Sequence, residues 1–382
     1  MPQSQRPRAA AMADREPRNP HGDGRYMPAL DGWRAVAIVL VMIFHAIYNV
    51  ISPADGGRMG RGVELISHLG ALGVLIFFAI SGYIITTRLY AESGGGAISL
   101  RAFYVKRCVR ILPAMWTYLL VIAALGALHV IRLQHADLLA PLFLSNYFPG
   151  SSYLGHFWSL SIEEHFYLLW PLCLIVTGWR RAIFVGVGLM AAVGIYRAVR
   201  LSRLGVVDAA PGVVEGARGY FLSHTEARID YILAGCVLAL LLIYSPRVQS
   251  FVQRCGSAVG AAPLLLLIFL SSRIQVIDPR SVQAIAIALL VVATSLKTRS
   301  LLNRALSNPT FVLLGKLSYS LYLWQQLFLS RTSIAWLQSP IALLPRLGGA
   351  LLAAWASYRF IERPAIRSGS EFVQRWKPSL RN

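Results

Sequence analysis

Arg34 and His45 lie eleven residues apart in an apolar stretch near the beginning of the chain. On an α-helix this spacing is about three turns, so both side chains would face the same way, about 16 Å apart along the axis. A charged side chain at the centre of a membrane-spanning helix costs at least about 2.5 kcal/mol, so it marks a functional site by default. We therefore expect one site that contains both residues, with His45 as a candidate general base. The alternative is an arginine that reaches the lipid headgroups and a histidine that is hydrogen-bonded in the interior.

Two adjacent carboxylates, Glu163 and Glu164, stand near the beginning of a later apolar segment. Consecutive residues point about 100° apart on a helix, so we expect only one of the two to face His45. That carboxylate, for which we take Glu163, would orient the imidazole or balance its charge. The alternative is that both negative charges stabilise the N-terminus of the helix.

Basic residues follow the second apolar segment, at Arg88, Arg101, Lys106, Arg107 and Arg110. Arg107 and Arg110 are three residues apart and would share a helix face. The cluster suits a polyphosphate ligand, and it would equally suit anionic lipid headgroups. Just before it, the small residues Ser81 and Gly82 would let a thin ligand come close, or another helix.

These residues must be positioned by membrane-spanning helices, because the composition fits no ordinary soluble enzyme. Charged residues make up 14% of the 382 residues, against about 25% in average soluble domains. Hydrophobic residues make up 56%, and this also excludes a disordered chain. The net charge of +20 would suggest nucleic acid as a partner, but the basic residues lie between apolar runs. We therefore expect a lipid bilayer as the partner, and no nucleic acid.

A spanning helix needs roughly 20 mostly apolar residues. The sequence predicts an all-α polytopic membrane protein with about ten transmembrane helices, at about 32–50, 65–87, 111–131, 160–178, 182–199, 229–245, 258–273, 282–296, 311–330 and 339–358. Residues 26–366 would form the transmembrane domain. Residues 1–25 would be a disordered basic tail without a cleaved signal peptide, and residues 367–382 a short basic tail.

The distribution of Lys and Arg among the loops sets the orientation. The basic residues are in excess on the inner side if the N-terminus is cytoplasmic, so we expect both termini to be cytoplasmic. The longest outer loop would then be residues 200–227, with Pro211, Glu215, Arg218, Tyr220 and His224 as candidates for substrate selectivity. The four cysteines have neither disulfide-framework nor zinc-site spacing, so we expect no metal.

Taken in order, seven motifs resemble those of the acyltransferase 3 family of bacterial integral-membrane acyltransferases. The resemblance runs from about Tyr26 to Pro364, nearly the whole chain. The motifs are the opening Tyr26–Arg34, R-x10-H at Arg34–His45, F-F-x-x-S-G at Phe77–Gly82, R-x-x-R at Arg107–Arg110, Phe157–Tyr167, Gly315–Trp324 and Tyr358–Pro364. Each motif is short, but the ordered series is highly specific.

The resemblance implies transfer of an acyl group, most often acetyl from acetyl-CoA, to a hydroxyl in the bacterial cytoplasmic (inner) membrane. The acceptor would be a carbohydrate, a glycolipid or a small hydroxylated molecule. Arg88, Lys106, Arg107 and Arg110 would hold the CoA phosphates, and the pantetheine arm would pass Ser81 and Gly82. His45, supported by Glu163 or Glu164, would act as general base or carry the acyl group covalently, and Arg34 would contact CoA or stabilise an oxyanion.

Three positions depart from the family pattern. Gln325 stands where a histidine is common, which puts a role for that histidine in doubt here. His165 replaces a common glutamine, and Ala35 a common glycine. We also expect no appended SGNH-type esterase domain of the kind that some polysaccharide-acetylating relatives carry.

Two other functions would use a similar sequence. A proton-coupled transporter or flippase of lipid-linked sugars also needs buried Arg, His and Glu residues. Transporters often contain inverted repeats, and the sequence shows no internal repeat. A non-catalytic membrane scaffold would not need charges at this depth.

Overall fold

The computed structural model describes residues 26–50, 58–205, 219–256, 258–273, 280–297, 300–330 and 340–376. The described residues form α-helices joined by turns and short irregular segments, and none of them is in a β-strand. The helices are α1 (Pro28–Val50), α2 (Arg58–Ser93), α3 (Leu100–Ala127), α4 (Phe157–Thr177), α5 (Arg181–Gly205), α6 (Thr225–Tyr244), α7 (Pro246–Cys255), α8 (Ala258–Arg273), α9 (Arg280–Leu296), α10 (Leu301–Leu306), α11 (Pro309–Leu329), α12 (Leu343–Ser357) and α13 (Arg363–Trp376).

Six of the described helices are each long and apolar enough to cross a membrane. These are α1 to α6, with apolar spans at Pro28–Ile47, Leu69–Ser93, Leu100–Ala127, Phe157–Thr177, Arg181–Arg203 and Thr225–Tyr244. The expected all-α polytopic membrane fold is therefore confirmed. Helices α8, α9, α11 and α12 occupy the four remaining predicted segments, but they are shorter or less apolar. Ten spans stay a prediction.

Helix α3 begins earlier than the sequence predicted, and this moves the basic cluster from a loop onto helices. Ser99 caps its N-terminus by accepting a hydrogen bond from the backbone of Ala102. The preceding turn contains Gly94 and Gly95, both with positive φ, a conformation that glycine adopts without strain. Arg107 therefore projects from helix α3 and not from a loop.

Of the two expected tails, the structure describes part of the C-terminal one. The predicted N-terminal tail, residues 1–25, lies outside the described residues, as do residues 377–382. Between these limits, α13 continues the chain as a helix to Trp376, where a basic tail was expected from 367. It packs against α3, with Gly369 facing Val109.

Helix α1 packs against α2 on one side and α11 on the other, and α2 packs against α6. The crossing of α2 and α6 depends on two glycines. A Cβ atom on Gly82 would lie 1.9 Å from the carbonyl oxygen of Ile232, and one on Gly235 would lie 2.2 Å from that of Ala79. The two backbones can approach this closely only because neither residue has a side chain.

A fully buried ion pair joins α5 and α6. Two nitrogens of Arg197 contact the two carboxylate oxygens of Asp230, at 3.1 and 2.8 Å, and neither side chain is exposed. Ser281 on α9 donates a hydrogen bond to Asp230 at 2.9 Å and accepts one from Arg197 at 3.0 Å. Removing one partner from such a pair leaves an unpaired buried charge.

Candidate active site

A cavity of about 330 Å³ lies between α1, α2, α3, α4 and α11. It begins near the N-terminal end of α1, where Tyr26 and Asp31 line it, and it extends along the helices to Ser159 and Tyr322. Ser81 also lines it, as do five basic residues: Arg34, Arg88, Lys106, Arg107 and Arg110. The structure thus brings together the predicted anion-binding cluster, the F-F-x-x-S-G serine and the arginine of α1.

Arg107 is held in place by three side chains of α4. Its guanidinium contacts Glu164 at 3.1 Å and Glu163 at 3.5 Å. The same group lies 3.4 Å from the centroid of the Tyr167 ring, in cation–π contact. Tyr167 in turn donates a hydrogen bond to Glu163 at 3.1 Å. Arg107 is therefore fixed, and its charge is compensated by two carboxylates.

The other cations of the cavity differ in their pairing. Arg34 pairs with Asp31 at 3.7 Å, and Lys106 pairs with Glu92 at 2.7 Å. Within the described ranges, neither Arg88 nor Arg110 has a carboxylate oxygen within 4 Å. These two guanidinium groups line the cavity without a direct ion pair among the described residues, which is a suitable arrangement for an anionic ligand.

Two hydroxyl groups line the cavity where α4 and α11 meet. The hydroxyl of Ser159 on α4 contacts the hydroxyl of Tyr322 on α11. Both also donate hydrogen bonds to the backbone carbonyl of His156, at 3.2 Å for Ser159 and 3.0 Å for Tyr322. Since His156 immediately precedes α4, its backbone lies about one helical turn from that of Ser159, which lines the cavity.

His45 lies on the continuous helix α1 with Arg34, as the spacing predicted, but it does not line the cavity. Its imidazole faces the side chain of Gln325 on α11. The residue that replaces the common family histidine is thus a neighbour of His45. His156 lies in the same interior region, because its ring contacts Tyr118 and Tyr118 contacts Trp324, the residue before Gln325.

Three of the predicted site residues have other contacts than we expected. Glu163 bonds Arg107 and Tyr167 rather than His45, which corrects the expectation that it orients the imidazole. Glu164 likewise bonds Arg107. Gly82 faces α6 and not the cavity, because it provides the close crossing with Ile232. Of the residues proposed for selectivity in the loop 200–227, Pro211, Glu215 and Arg218 lie outside the described residues.

Sequence reasoning missed four residues of the site: His156, Ser159, Tyr322 and Gln325. Ser159 stands in the same motif as Glu163 and His156 immediately precedes that motif, so attention to the polar residues there would have found both. The sequence marked Gln325 because it departs from the family pattern. That it lies beside His45 follows only from the packing of α1 against α11.

With this geometry in place, the chain can be compared with known proteins. Residues 27–359 match the family described as "Acyltransferase domain". A curated relative from Staphylococcus aureus strain MSSA476, "Putative O-acetyltransferase SAS0844", is 29% identical over 93% of this chain and 59% of its own length. The "O-acetyltransferase OatA" of S. aureus strain NCTC 8325 is 28% identical over 90% of this chain and 58% of its own length.

The chain thus spans less than two thirds of the length of these curated relatives. No solved structure matches it.

Proposed function

Because the chain belongs to the acyltransferase family whose domain its residues 27–359 match, we propose that it transfers an acyl group to a hydroxyl group, as an O-acyltransferase in a membrane. The names of the relatives that it resembles favour acetyl as the group transferred. The observation that carries the proposal is the basic cavity, whose lining residue Tyr322 donates a hydrogen bond to the backbone carbonyl of His156.

The donor in this proposal is an acyl-CoA, as a second substrate rather than a bound cofactor. CoA carries several phosphate charges, and Arg88 and Arg110 offer guanidinium groups without carboxylate partners. Lys106 and Arg107 add positive charge to the same lining, while Ser81 borders the path toward Ser159. Arg34 belongs to this phosphate end, because it lies about 16 Å from His45 along α1. In this proposal Arg34 binds the acyl-CoA and does not contact the atoms that react.

His45 acts as the general base. Its imidazole takes the proton of the acceptor hydroxyl while the hydroxyl oxygen attacks the thioester carbonyl carbon. The carbon–sulfur bond then breaks, and the departing thiolate takes the proton from His45. The side chain of Gln325, which faces the imidazole, limits its orientation during these steps. In the second version of this mechanism His45 first carries the acyl group itself. Glu163 and Glu164 contribute indirectly, by holding Arg107.

The acceptor in this proposal is a carbohydrate, a glycolipid or a small hydroxylated molecule. The chain would lie in the bacterial cytoplasmic membrane with both termini in the cytoplasm, as the excess of basic residues on that side favours. The N-terminal end of α1 and the mouth of the cavity then face the cytoplasm, where acyl-CoA is present. The acceptor reaches His45 from the opposite side.

The test is release of labelled acetyl groups. Purified protein in detergent is incubated with radiolabelled acetyl-CoA and a bacterial envelope glycan fraction, and label that leaves CoA is measured. We expect transfer by the wild type and none by His45→Ala. His165→Ala is the matched control, because that imidazole bonds Thr225 at 2.8 Å and lies outside the cavity. If all label stays on CoA, a transporter or scaffold replaces this proposal. If His45→Ala keeps its transfer rate, the assignment of the base is wrong.

A further inference from the structure

The imidazole of His156 is enclosed in the interior, in the turn that leads into α4. Only 3% of the residue is exposed. Three aromatic rings surround it, with centroid distances of 5.0 Å to Phe157, 5.3 Å to Tyr322 and 5.5 Å to Tyr118. These rings belong to α4, α11 and α3, so the position of the imidazole is fixed from three sides.

Neither ring nitrogen of His156 has a hydrogen-bond partner among the residues that the structure describes. The indole nitrogen of Trp324, whose ring contacts the same Tyr118 at 5.5 Å, has none there either. Buried polar groups in folded proteins nearly always have a partner, and an unsatisfied one costs about 1–3 kcal/mol. Several unsatisfied groups in one place indicate a polar ligand that binds there during function.

His156 contacts two residues that line the cavity. Its carbonyl accepts hydrogen bonds from Ser159 and Tyr322, and its ring lies 5.3 Å from the Tyr322 ring. On its other side its ring contacts Tyr118, which contacts Trp324, the residue before Gln325, and Gln325 faces His45. An acyl group that extended past Ser159 would approach the region that holds both imidazoles.

We propose that His156 is a second catalytic residue, which donates a hydrogen bond from a ring N–H to the carbonyl oxygen of the acyl group during transfer. This inference rests on the proposed function, because it assumes a thioester donor and His45 as the base. Attack on the carbonyl carbon moves an electron pair onto that oxygen, and the N–H stabilises the negative charge. The charge returns to form the C=O bond when the carbon–sulfur bond breaks, and His156 keeps its proton throughout.

A hydrogen-bond donor suits this position better than a second base. Two imidazolium ions repel each other strongly in an interior of low dielectric constant. When His45 holds the proton from the acceptor hydroxyl, His156 is therefore neutral. A neutral imidazole still carries one N–H, so it can polarise a carbonyl without competing for the proton.

The test compares three variants of the purified protein in the acetyl-transfer assay with increasing acetyl-CoA. We expect His156→Ala to lower kcat about 100-fold or more, while KM for acetyl-CoA changes less than about threefold, because the phosphate-binding residues are intact. We expect kcat of His156→Gln, which keeps an N–H donor, to be at least about tenfold higher than kcat of His156→Ala. His165→Gln is the control on the same helix and should behave as wild type.

The possible outcomes separate this inference from the proposed function. A wild type without acetyl transfer overturns both. A wild type that transfers acetyl, with His156→Ala within about threefold of it, overturns this inference alone. If His156→Ala and His156→Gln lose kcat equally while both bind acetyl-CoA with the wild-type Kd, the donor role is also excluded. Recovery in His156→Gln alone, with the wild-type dependence of kcat on pH, supports it.

Discussion

The guanidinium of Arg107 lies 3.4 Å from the centroid of the Tyr167 ring while it pairs with Glu163 and Glu164. One arginine of α3 thus meets three polar side chains within about one turn of α4, and the Tyr167–Glu163 hydrogen bond completes the group. Arg107 and its partners therefore fasten α3 to α4 as well as adding charge to the cavity.

Replacing Arg107 with alanine should destabilise the protein. Two largely buried carboxylates would lose the cation with which they form ion pairs in the described structure, a change that typically costs about 3–5 kcal/mol. The triple variant Arg107→Ala, Glu163→Gln, Glu164→Gln should recover part of that stability, because its amides carry no charge. Thermal unfolding of the proteins in detergent measures both effects. An Arg107→Ala protein with the wild-type Tm would show that the ion pairs do not stabilise this contact.

Replacing Arg88 and Arg110 with alanine should weaken donor binding without unfolding the protein. Neither residue has a carboxylate oxygen within 4 Å in the described structure, so no ion pair is broken. The buried Glu362 does interact with the charge of Arg110, so we expect a lower Tm for Arg110→Ala than for Arg88→Ala. We expect KM for acetyl-CoA to rise about tenfold for each arginine, which corresponds to loss of one charge-assisted hydrogen bond. Steady-state kinetics provides the measurement. Arg181→Ala, an exposed position at the beginning of α5, is the control, and an unchanged KM in the double variant would move the donor site elsewhere.

Gln325 should act as a positioning residue for His45. Gln325→Leu removes the polar group that faces the imidazole, and we expect kcat to fall about tenfold while KM for acetyl-CoA stays the same. Gln325→His restores the residue that is common in the family, and it should retain more activity than Gln325→Leu. The measurement is kcat at saturating acetyl-CoA for both variants. Equal rates in Gln325→Leu and the wild type would contradict this role.

The two neighbours Ser81 and Gly82 should respond to substitution in opposite ways. Gly82→Ala places a methyl group against the carbonyl of Ile232, so we expect the crossing of α2 and α6 to loosen and the Tm to fall. Ser81→Leu adds bulk toward the cavity, so we expect a weaker Kd for acetyl-CoA with a Tm near that of the wild type. Calorimetry and thermal unfolding distinguish them. If Gly82→Ala has the wild-type Tm but binds acetyl-CoA more weakly, Gly82 borders the bound acetyl-CoA and the assignment to the helix crossing is wrong.

The helical fold and the residues of the donor cavity could be predicted from the sequence, because both follow from local patterns. Apolar length predicts the spanning helices, and the spacing of Arg34 and His45 places both on α1. Arg107 and Arg110 share a face of α3 in the same way. Their meeting in one cavity required only that neighbouring helices pack closely.

The contacts across helices could not be predicted, because they depend on the offset between neighbouring helices. Helix geometry alone allows Glu163 to contact either His45 or Arg107. The position of α3 along α4 places Arg107 in contact with it. Gly82 could have faced a ligand or a helix, and the approach of Ile232 decides that question. His156 precedes its helix, so no periodicity indicates its direction.

The hydroxyls of Ser159 and Tyr322 contact each other where α4 and α11 both line the cavity. Each hydroxyl has one hydrogen, and when both donate to the carbonyl of His156 neither has a hydrogen left for the other. One of the two can therefore turn its hydrogen toward a bound molecule while the other keeps α4 and α11 joined.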